Sequence, residues 1–544
     1  MTLNTFHLRR RWRAMILTRL WVPLWGLLAA LPAAAQSPAV SVVRVQAHPA
    51  VSDLQCAAVP KTASAAAAME TDPREVPDEA DVQAALSALG AVPSLETMQT
   101  QKNLGALGQA LPGEPYRVAI WGDSHLAAGF FTQELVKILK LSADQVRTSL
   151  IPATMGRSGV RLPLRKSCVS PHWRYESAHA SAAGAAAPGP GLVNLFATQP
   201  GATLAWDVRN TAGIAESRQI RVLYQQTQAP LQLAVSVDGD PEVEIVLSGA
   251  PGPAILELAG DAPLSVVRIR LMAGEMRLHG LALPVPSSTA LQMDVFGYPG
   301  ATVAGWKQAS LDYWSAWFGQ TRYHLVMMEY GTNEGNAKPF DAQVYQQTLR
   351  QSVRQMRTVF PDAACVLIAP GDRGVLIRRA EQLRLQPSGV RQVVGKTRGK
   401  VSAKSVARSG KKSAPAKGGA RQSKVKTAQR VVAPSRAVDT PPVGSASAPA
   451  EGGGVAKNLL QYTLIHEQIG RIQAMVAQEN GCRVWSMLQA MAGQGGAYRW
   501  VRQSPPLMAR DLIHFTVPGY QQLANQFASD MGWEATQLLP GLKP

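Results

Sequence analysis

Cysteine is scarce in this chain: four among 544 residues, at positions 56, 168, 365 and 482. Their wide, irregular spacing excludes the usual zinc sites, whose paired ligands stand a few residues apart. Four cysteines allow three pairings. Cys365 lies in the apolar run "ACVLIAP" and Cys482 in "GCRVWSM", so both read as plain buried thiols. A membrane-spanning run near the N-terminus is also lacking. The apolar stretch Leu20–Leu31 has twelve residues, where a helical span needs about twenty. Acidic residues are nearly missing from one tract. Between Arg378 and Arg436 stand seventeen Lys or Arg and a single acid, Glu381, which places almost all of the +18 net charge there. The tract almost lacks aromatics, is rich in Ser, Ala, Gly and Lys, and runs on into "APSRAVDTPPVGSASAPAEGGG". Such a composition cannot bury enough apolar surface to offset chain entropy, so residues 378–454 are expected to be a disordered insertion. Concentrated this way, the charge implies no specific nucleic-acid binding. Non-specific contact of 378–436 with anionic polymers or a membrane surface is what remains.

The N-terminus has the form of an export signal. Arg9, Arg10, Arg11, Arg13 and Arg19 precede Leu20–Leu31, and the small-residue stretch "PAAAQ" follows. Basic, apolar and small regions in that order describe a secretory signal peptide. Residues 1–35 are expected to be removed near Ala35, giving a periplasmic or otherwise exported product. No cysteine stands directly after that point, so no lipid anchor is expected. Exported chains tolerate disulfides.

Residues 36–110 read as a Pro/Ala-rich leader to about 75, then two helices around Asp78–Leu89 and Leu95–Leu107. From Arg117 the pattern changes. Five short apolar runs, "RVAIW" (117–121), "LQMDVF" (291–296), "YHLVMMEY" (323–330), "ACVLIA" (364–369) and "CRVWSM" (482–487), alternate with amphipathic stretches. Continuous apolar strands separated by helices indicate a parallel sheet covered on both faces. The expected fold is therefore α/β, with three layers, built from 111–165, 287–377 and 455–544. Between the first two runs the rhythm breaks. Segments such as "TLAWDVR", "LQLAVSVDG" and "SVVRIRLMAG" follow one another with period-two alternation and turn residues between them. That predicts an inserted antiparallel β-sandwich, placed at 166–286.

Candidate chemistry sits just past the apolar runs. Ser124 follows the first, in "AIWGDSHLAAGFF". A serine at a strand–helix junction is as readily an N-cap as a nucleophile. Near the C-terminus, "RDLIHFTVPGY" places Asp511 and His514 three residues apart. A carboxylate at that spacing fixes the tautomer of an imidazole that takes a proton from a hydroxyl. Oxyanion stabilisation needs neutral donors. The Asn333 amide in "YGTNEGN", the Gly300 N–H in "FGYPGATVAGW" and the Ser124 N–H are the candidates. All four segments fall at the edge where an α/β sheet presents its function, beyond the carboxyl ends of strands.

In order, "GDSH" (122–125), "GYPGAT" (297–302), "GTNE" (331–334) and "DLIH" (511–514) resemble the four blocks of the SGNH hydrolases. This is the lipase-and-esterase superfamily also called GDSL-type, with a flavodoxin-like sheet. Two positions depart from its commonest wording. His125 stands where Leu is frequent, and Glu334 stands where Asp is frequent; neither change falls on a residue the mechanism is expected to need, and His125 reads as a structural neighbour. The inserted sandwich, jelly-roll-like and placed between the Ser and Gly blocks, narrows the resemblance to bacterial peptidoglycan O-acetylesterases. There the insert resembles a carbohydrate-binding module, and the family removes acetyl from the C6 hydroxyl of muramic acid residues in the periplasm. The resemblance implies Ser124, His514 and Asp511 as catalytic residues, the Ser124, Gly300 and Asn333 donors as an oxyanion hole, no metal or cofactor, and O-acetylated peptidoglycan or a related polysaccharide as partner. An O-acetyltransferase using the same site, and a non-catalytic wall-binding protein, stay open as alternatives. Trp173, Trp206 and Tyr224 of the insert read as core residues before sugar-stacking ones.

Overall fold

The structure, a computed structural model, describes residues 38–48, 51–56, 74–89, 107–378 and 458–540, apart from 183, 211, 319 and 320. The expected signal peptide, the helix expected around 95–107 (Leu107 excepted) and the basic insertion beyond Arg378 lie outside the described residues. The first expected helix is present as Glu79–Leu89. Among the described residues no helix is long and apolar enough to cross a membrane.

All five apolar runs are strands, Tyr116–Gly122, Leu291–Gly297, Leu325–Glu329, Ala364–Ala369 and Arg483–Ser486, and every pairing between them is parallel. Numbered along the chain, their order across the sheet is 2-1-3-4-5, with the short strand Val146–Arg147 added outside the second. That is the order of flavodoxin-like sheets. Successive side chains of the first strand serve opposite faces. Tyr116, Val118 and Ile120 share a core with Leu135, Leu523 and Phe527, whereas Ala119 and Trp121 share one with Val353 and Ile469. Both faces are therefore dry, which is why the strands read as unbroken apolar runs. Helices Phe130–Ile138 and Val517–Met531 cover the first face; Ala342–Val359 and Gln461–Glu479 cover the second. In Ala342–Val359 the buried Tyr345, Leu349, Ser352, Val353 and Met356 recur at helical spacing, and Asp341 caps the start by accepting the N–H groups of Gln343 and Val344.

Between the first two long strands the chain builds two further sheets. One contains Arg174–Ser177, Val193–Ala197, Gln219–Gln226, Gly252–Gly260 and Met276–Ala282, and Leu150–Pro152 pairs with the last of these. The other contains Lys166–Val169, Thr203–Asp207, Leu231–Val237, Val243–Leu247 and Val266–Ala273. Leu195, Val222 and Leu256 of the first share one core with Leu204, Leu233 and Ile269 of the second. Trp173, Trp206 and Tyr224 are 7%, 0% and 2% exposed, so they fill this core and present no stacking face. The first sheet also joins the α/β unit. Val193, Leu223 and Ile255 share a core with Trp121, Trp306 and Trp314, and the indole N–H groups of Trp121 and Trp314 donate to Pro190 O and Pro188 O, each at 2.8 Å.

One expectation is extended and one corrected. The Pro/Ala-rich leader contains a strand, Ala39–Val45, paired in parallel with Gly252–Gly260 at the edge of the first inserted sheet. Its backbone finds hydrogen-bond partners on an otherwise open edge, which Pro and Ala counts alone do not reveal. Cys365 and Cys482 are not the plain buried thiols expected. Cys56 is bonded to Cys168, tying the leader to the second inserted sheet, and Cys365 is bonded to Cys482, linking neighbouring parallel strands. Pairing converts two apolar sequence neighbourhoods that suit a thiol equally well, those of Cys365 and Cys482, into one cross-link across 117 residues.

Candidate active site

The strand Tyr116–Gly122 ends in a helix of one turn, Ser124–Ala127. Its cap is Asp123, whose carboxylate accepts the His125 N–H at 2.9 Å. Ser124 is thus the first helical residue, and the capping reading of it fails. That leaves its Oγ for another partner, the Nε2 of His514 at 3.0 Å, across 390 positions of sequence. The Nδ1 of His514 meets Asp511 Oδ2 at 2.7 Å, and Asp511 Oδ1 accepts the N–H groups of Ile513 and His514, each at 2.9 Å. The turn between them is strained. Leu512, fully buried, sits at φ +55°, a left-handed conformation that costs a non-glycine residue about 1–3 kcal/mol.

The electrostatics follow from these bonds. The hydrogen bond to Asp511 raises the His514 pKa above the ordinary imidazole value of 6.5, against burial, which lowers it. Asp511 is held below the usual carboxylate range: burial pushes it up, but the His514 ring and backbone donors outweigh that. The result is a stronger base oriented toward a hydroxyl. His125 is held in the interior. It is 3% exposed, its Nδ1 lies 3.1 Å from Tyr520 OH, and burial brings its pKa down to about 3.

Gly300 and Asn333 stand past the ends of the two strands flanking Tyr116–Gly122. Gly300 has φ +86° with open space where a Cβ would point, so the backbone conformation, not crowding, calls for glycine. Its N–H makes no hydrogen bond to any described residue. The Ser124 N–H, opening a helix, has no intrahelical acceptor. Asn333 ties these two loops together, because its Nδ2 donates to Asp123 Oδ2 at 3.1 Å and to Ala301 O at 2.9 Å. Each acceptor is a chain neighbour of an expected oxyanion donor. Both amide hydrogens are engaged in this state, so an oxyanion would share or displace one of these acceptors.

Glu329 and Arg373, at the same edge, carry no role in the sequence reading, and Glu334 figures there only as a departure from common wording. Glu329 ends the strand Leu325–Glu329 and is 3% exposed; its Oε2 accepts the Asp123 N–H at 3.1 Å. Gly122 makes room for it, since a Cβ there would lie 2.6 Å from Oε2. Burial first, then the neighbouring Asp123 charge, pushes Glu329 well above the usual carboxyl range. Glu334 is no bystander. Its two oxygens accept the N–H groups of Val303 at 2.7 Å and Gly331 at 3.0 Å, stitching the Gly300 loop to the Asn333 loop, and burial brings its pKa up to about 7. Arg373 follows the fourth strand, Ala364–Ala369. The signal available for all three was position: each lies at or just beyond a strand's carboxyl end.

Nucleophile, imidazole and carboxylate in hydrogen-bonded series at the functional edge of a parallel sheet define the arrangement of a serine hydrolase. No family model and no curated relative matches this sequence. Among solved structures the chain is similar to several esterases and a lipase/acylhydrolase. One is titled a peptidoglycan O-acetylesterase, 17% identical, covering 84% of this chain and 96% of that one with TM-score 0.46. Another is a lipase/acylhydrolase from Enterococcus faecalis, 10% identical, covering 44% and 76%, TM-score 0.22. A third is a family two carbohydrate esterase from Clostridium thermocellum in complex with cellohexaose, 11% identical, covering 33% and 74%, TM-score 0.15.

Proposed function

We propose that this chain is an exported serine esterase that removes O-acetyl groups from cell-wall glycan, the C6 acetyl of muramic acid in peptidoglycan. The observation that carries the reading is the Ser124 Oγ–His514 Nε2–Asp511 series, with contacts of 3.0 and 2.7 Å. His514 takes the Ser124 proton as Oγ attacks the acetyl carbonyl. The negative charge that develops on the carbonyl oxygen is met by the Ser124 and Gly300 N–H groups and the Asn333 amide. The protonated imidazole then gives its proton to the departing sugar oxygen, leaving an acetyl group on Ser124. Water, deprotonated by the same imidazole, releases acetate and restores the serine.

Two disulfides support an oxidising compartment, in keeping with the basic-apolar-small order of residues 9–36. The insert, two sheets over one core, is read as a β-sandwich of the carbohydrate-binding kind. Any sugar contact it makes falls to residues other than Trp173, Trp206 and Tyr224. The test is acetate release from O-acetylated peptidoglycan, acetylated xylan and a generic aryl acetate. Highest kcat/KM on peptidoglycan is expected. A preference for xylan would keep the esterase and discard the wall substrate.

A further inference from the structure

Beyond the carboxylate end of the triad lies a hollow of about 330 Å³, whose wall includes Lys338, Arg373, Tyr462, Arg510 and Asp511. Three parts of the chain meet there. Arg373 comes from the loop after Ala364–Ala369, Tyr462 from the start of Gln461–Glu479, and Arg510 from the triad loop itself. The Arg373 guanidinium stands 3.9 Å from the centroid of the Tyr462 ring, and Lys338 Nζ lies 5.6 Å from the same centroid. Stacking on a ring fixes where a cation sits but leaves its hydrogen-bond donors unused.

Two of those donors have no acceptor among the described residues. The Nε and Nη1 of Arg373 are buried without a hydrogen-bond partner, and none of Lys338, Arg373 and Arg510 forms a salt bridge among the described residues. Asp511, the carboxylate on this wall, is already committed to two backbone N–H groups and the His514 ring. A buried guanidinium edge without an acceptor is unfavourable, and its planar fork matches a carboxylate. The place is also suitable. Asp511 borders the hollow and bonds His514, so the hollow and Ser124 Oγ are separated by one imidazole and two hydrogen bonds.

We propose that this hollow is a subsite for a carboxylate carried by the substrate, held by Arg373 with Lys338 and Arg510, so that the ester cleaved at Ser124 belongs to an acidic glycan. The inference rests on the esterase reading and narrows its substrate class. In wall glycan the carboxylate has two sources, the lactyl ether of muramic acid and the peptide joined to it.

The test uses the full-length chain and three O-acetylated muramic oligosaccharides: lactyl group free, lactyl group blocked as its methylamide, and lactyl group bearing the peptide. Because all three share one ester, the ratio of their kcat/KM values cancels any disturbance of the triad. The wild type is expected to prefer a carboxylate-bearing ester to the methylamide by about 10–100-fold, the worth of a charged hydrogen-bonded pair. Arg373→Met should bring that ratio near one, and Arg373→Lys should recover part of it. Preference for the free lactyl form identifies the first source; preference for the peptide form alone identifies the second. Calorimetry of the deacetylated free-acid oligosaccharide with Ser124→Ala protein, with and without Arg373→Met, reads the subsite apart from hydrolysis. Acetate release with no preference and no Arg373-dependent binding overturns the subsite and leaves the esterase. Arg373-dependent binding with no acetate release from any ester supports the subsite and overturns the esterase.

Discussion

Two imidazoles in this molecule occupy the same kind of chain of contacts, and only one is placed to do chemistry. In the α/β unit, Asp511, His514 and Ser124 stand in series at 2.7 and 3.0 Å. Between the insert and the α/β unit, Asn194 Oδ1, His279 and Tyr313 OH stand in series at 2.8 and 2.7 Å. The distances are alike; the surroundings are not. His279 is fully buried against a neutral amide, and burial brings its pKa down to about 3. The His514 side chain is 43% exposed against a carboxylate, and its pKa is raised. An acceptor that carries charge, and access for a substrate, separate a base from a structural strut. The sheets follow the same division. A parallel sheet gathers the ends of all its strands at one edge, where Ser124, Gly300, Asn333 and Arg373 follow in turn, whereas antiparallel strands send alternate ends to opposite edges.

The comparison is broken most severely at the hydroxyl. Ser124→Ala should lower acetate release by a factor on the order of 10⁴–10⁶, measured as kcat on an aryl acetate, with the melting temperature little changed. Asp511→Asn makes the catalytic series resemble the silent one. A drop of about 10⁴ in kcat is expected, along with a change in the pH profile. Only the neutral imidazole accepts the Ser124 proton, so wild-type kcat/KM should rise with pH through a midpoint above 6.5 and be lost below it. Removing the Asp511 charge removes the leading cause of the raised pKa, so the midpoint should move down. Asn333→Ala should cost about 10²–10³ in kcat with KM nearly constant. His279→Gln, at the other imidazole, should destabilise the fold by about 1–3 kcal/mol through unpaired buried groups, read by urea unfolding, with kcat of the folded enzyme unchanged.

Much of this division was legible in the residues. The five strands showed because burial on two faces demands unbroken apolar runs, and Ser124, Gly300, Asn333, Asp511 and His514 showed because each falls just past such a run or in a compact Asp-x-x-His turn. What stayed hidden depended on partners far away in sequence. The alternation of Ala39–Val45 has meaning only beside Gly252–Gly260. Cys365 and Cys482 sit in runs that suit a thiol as well as a disulfide. Glu329 and Glu334 are single acids at strand ends whose value lies in the backbone donors that another loop brings to them. Asp123, not Ser124, turned out to be the cap, a choice between adjacent residues that spacing alone does not make.

The central claim is that His514 activates Ser124. Treating the protein with an arylsulfonyl fluoride and locating the adduct by peptide mass spectrometry tests it directly. One sulfonyl group on Ser124 is expected, forming at a rate that follows the neutral fraction of His514 and disappears in His514→Ala. Labelling of Ser124 at the same rate in His514→Ala, or of another serine in its place, would contradict the account.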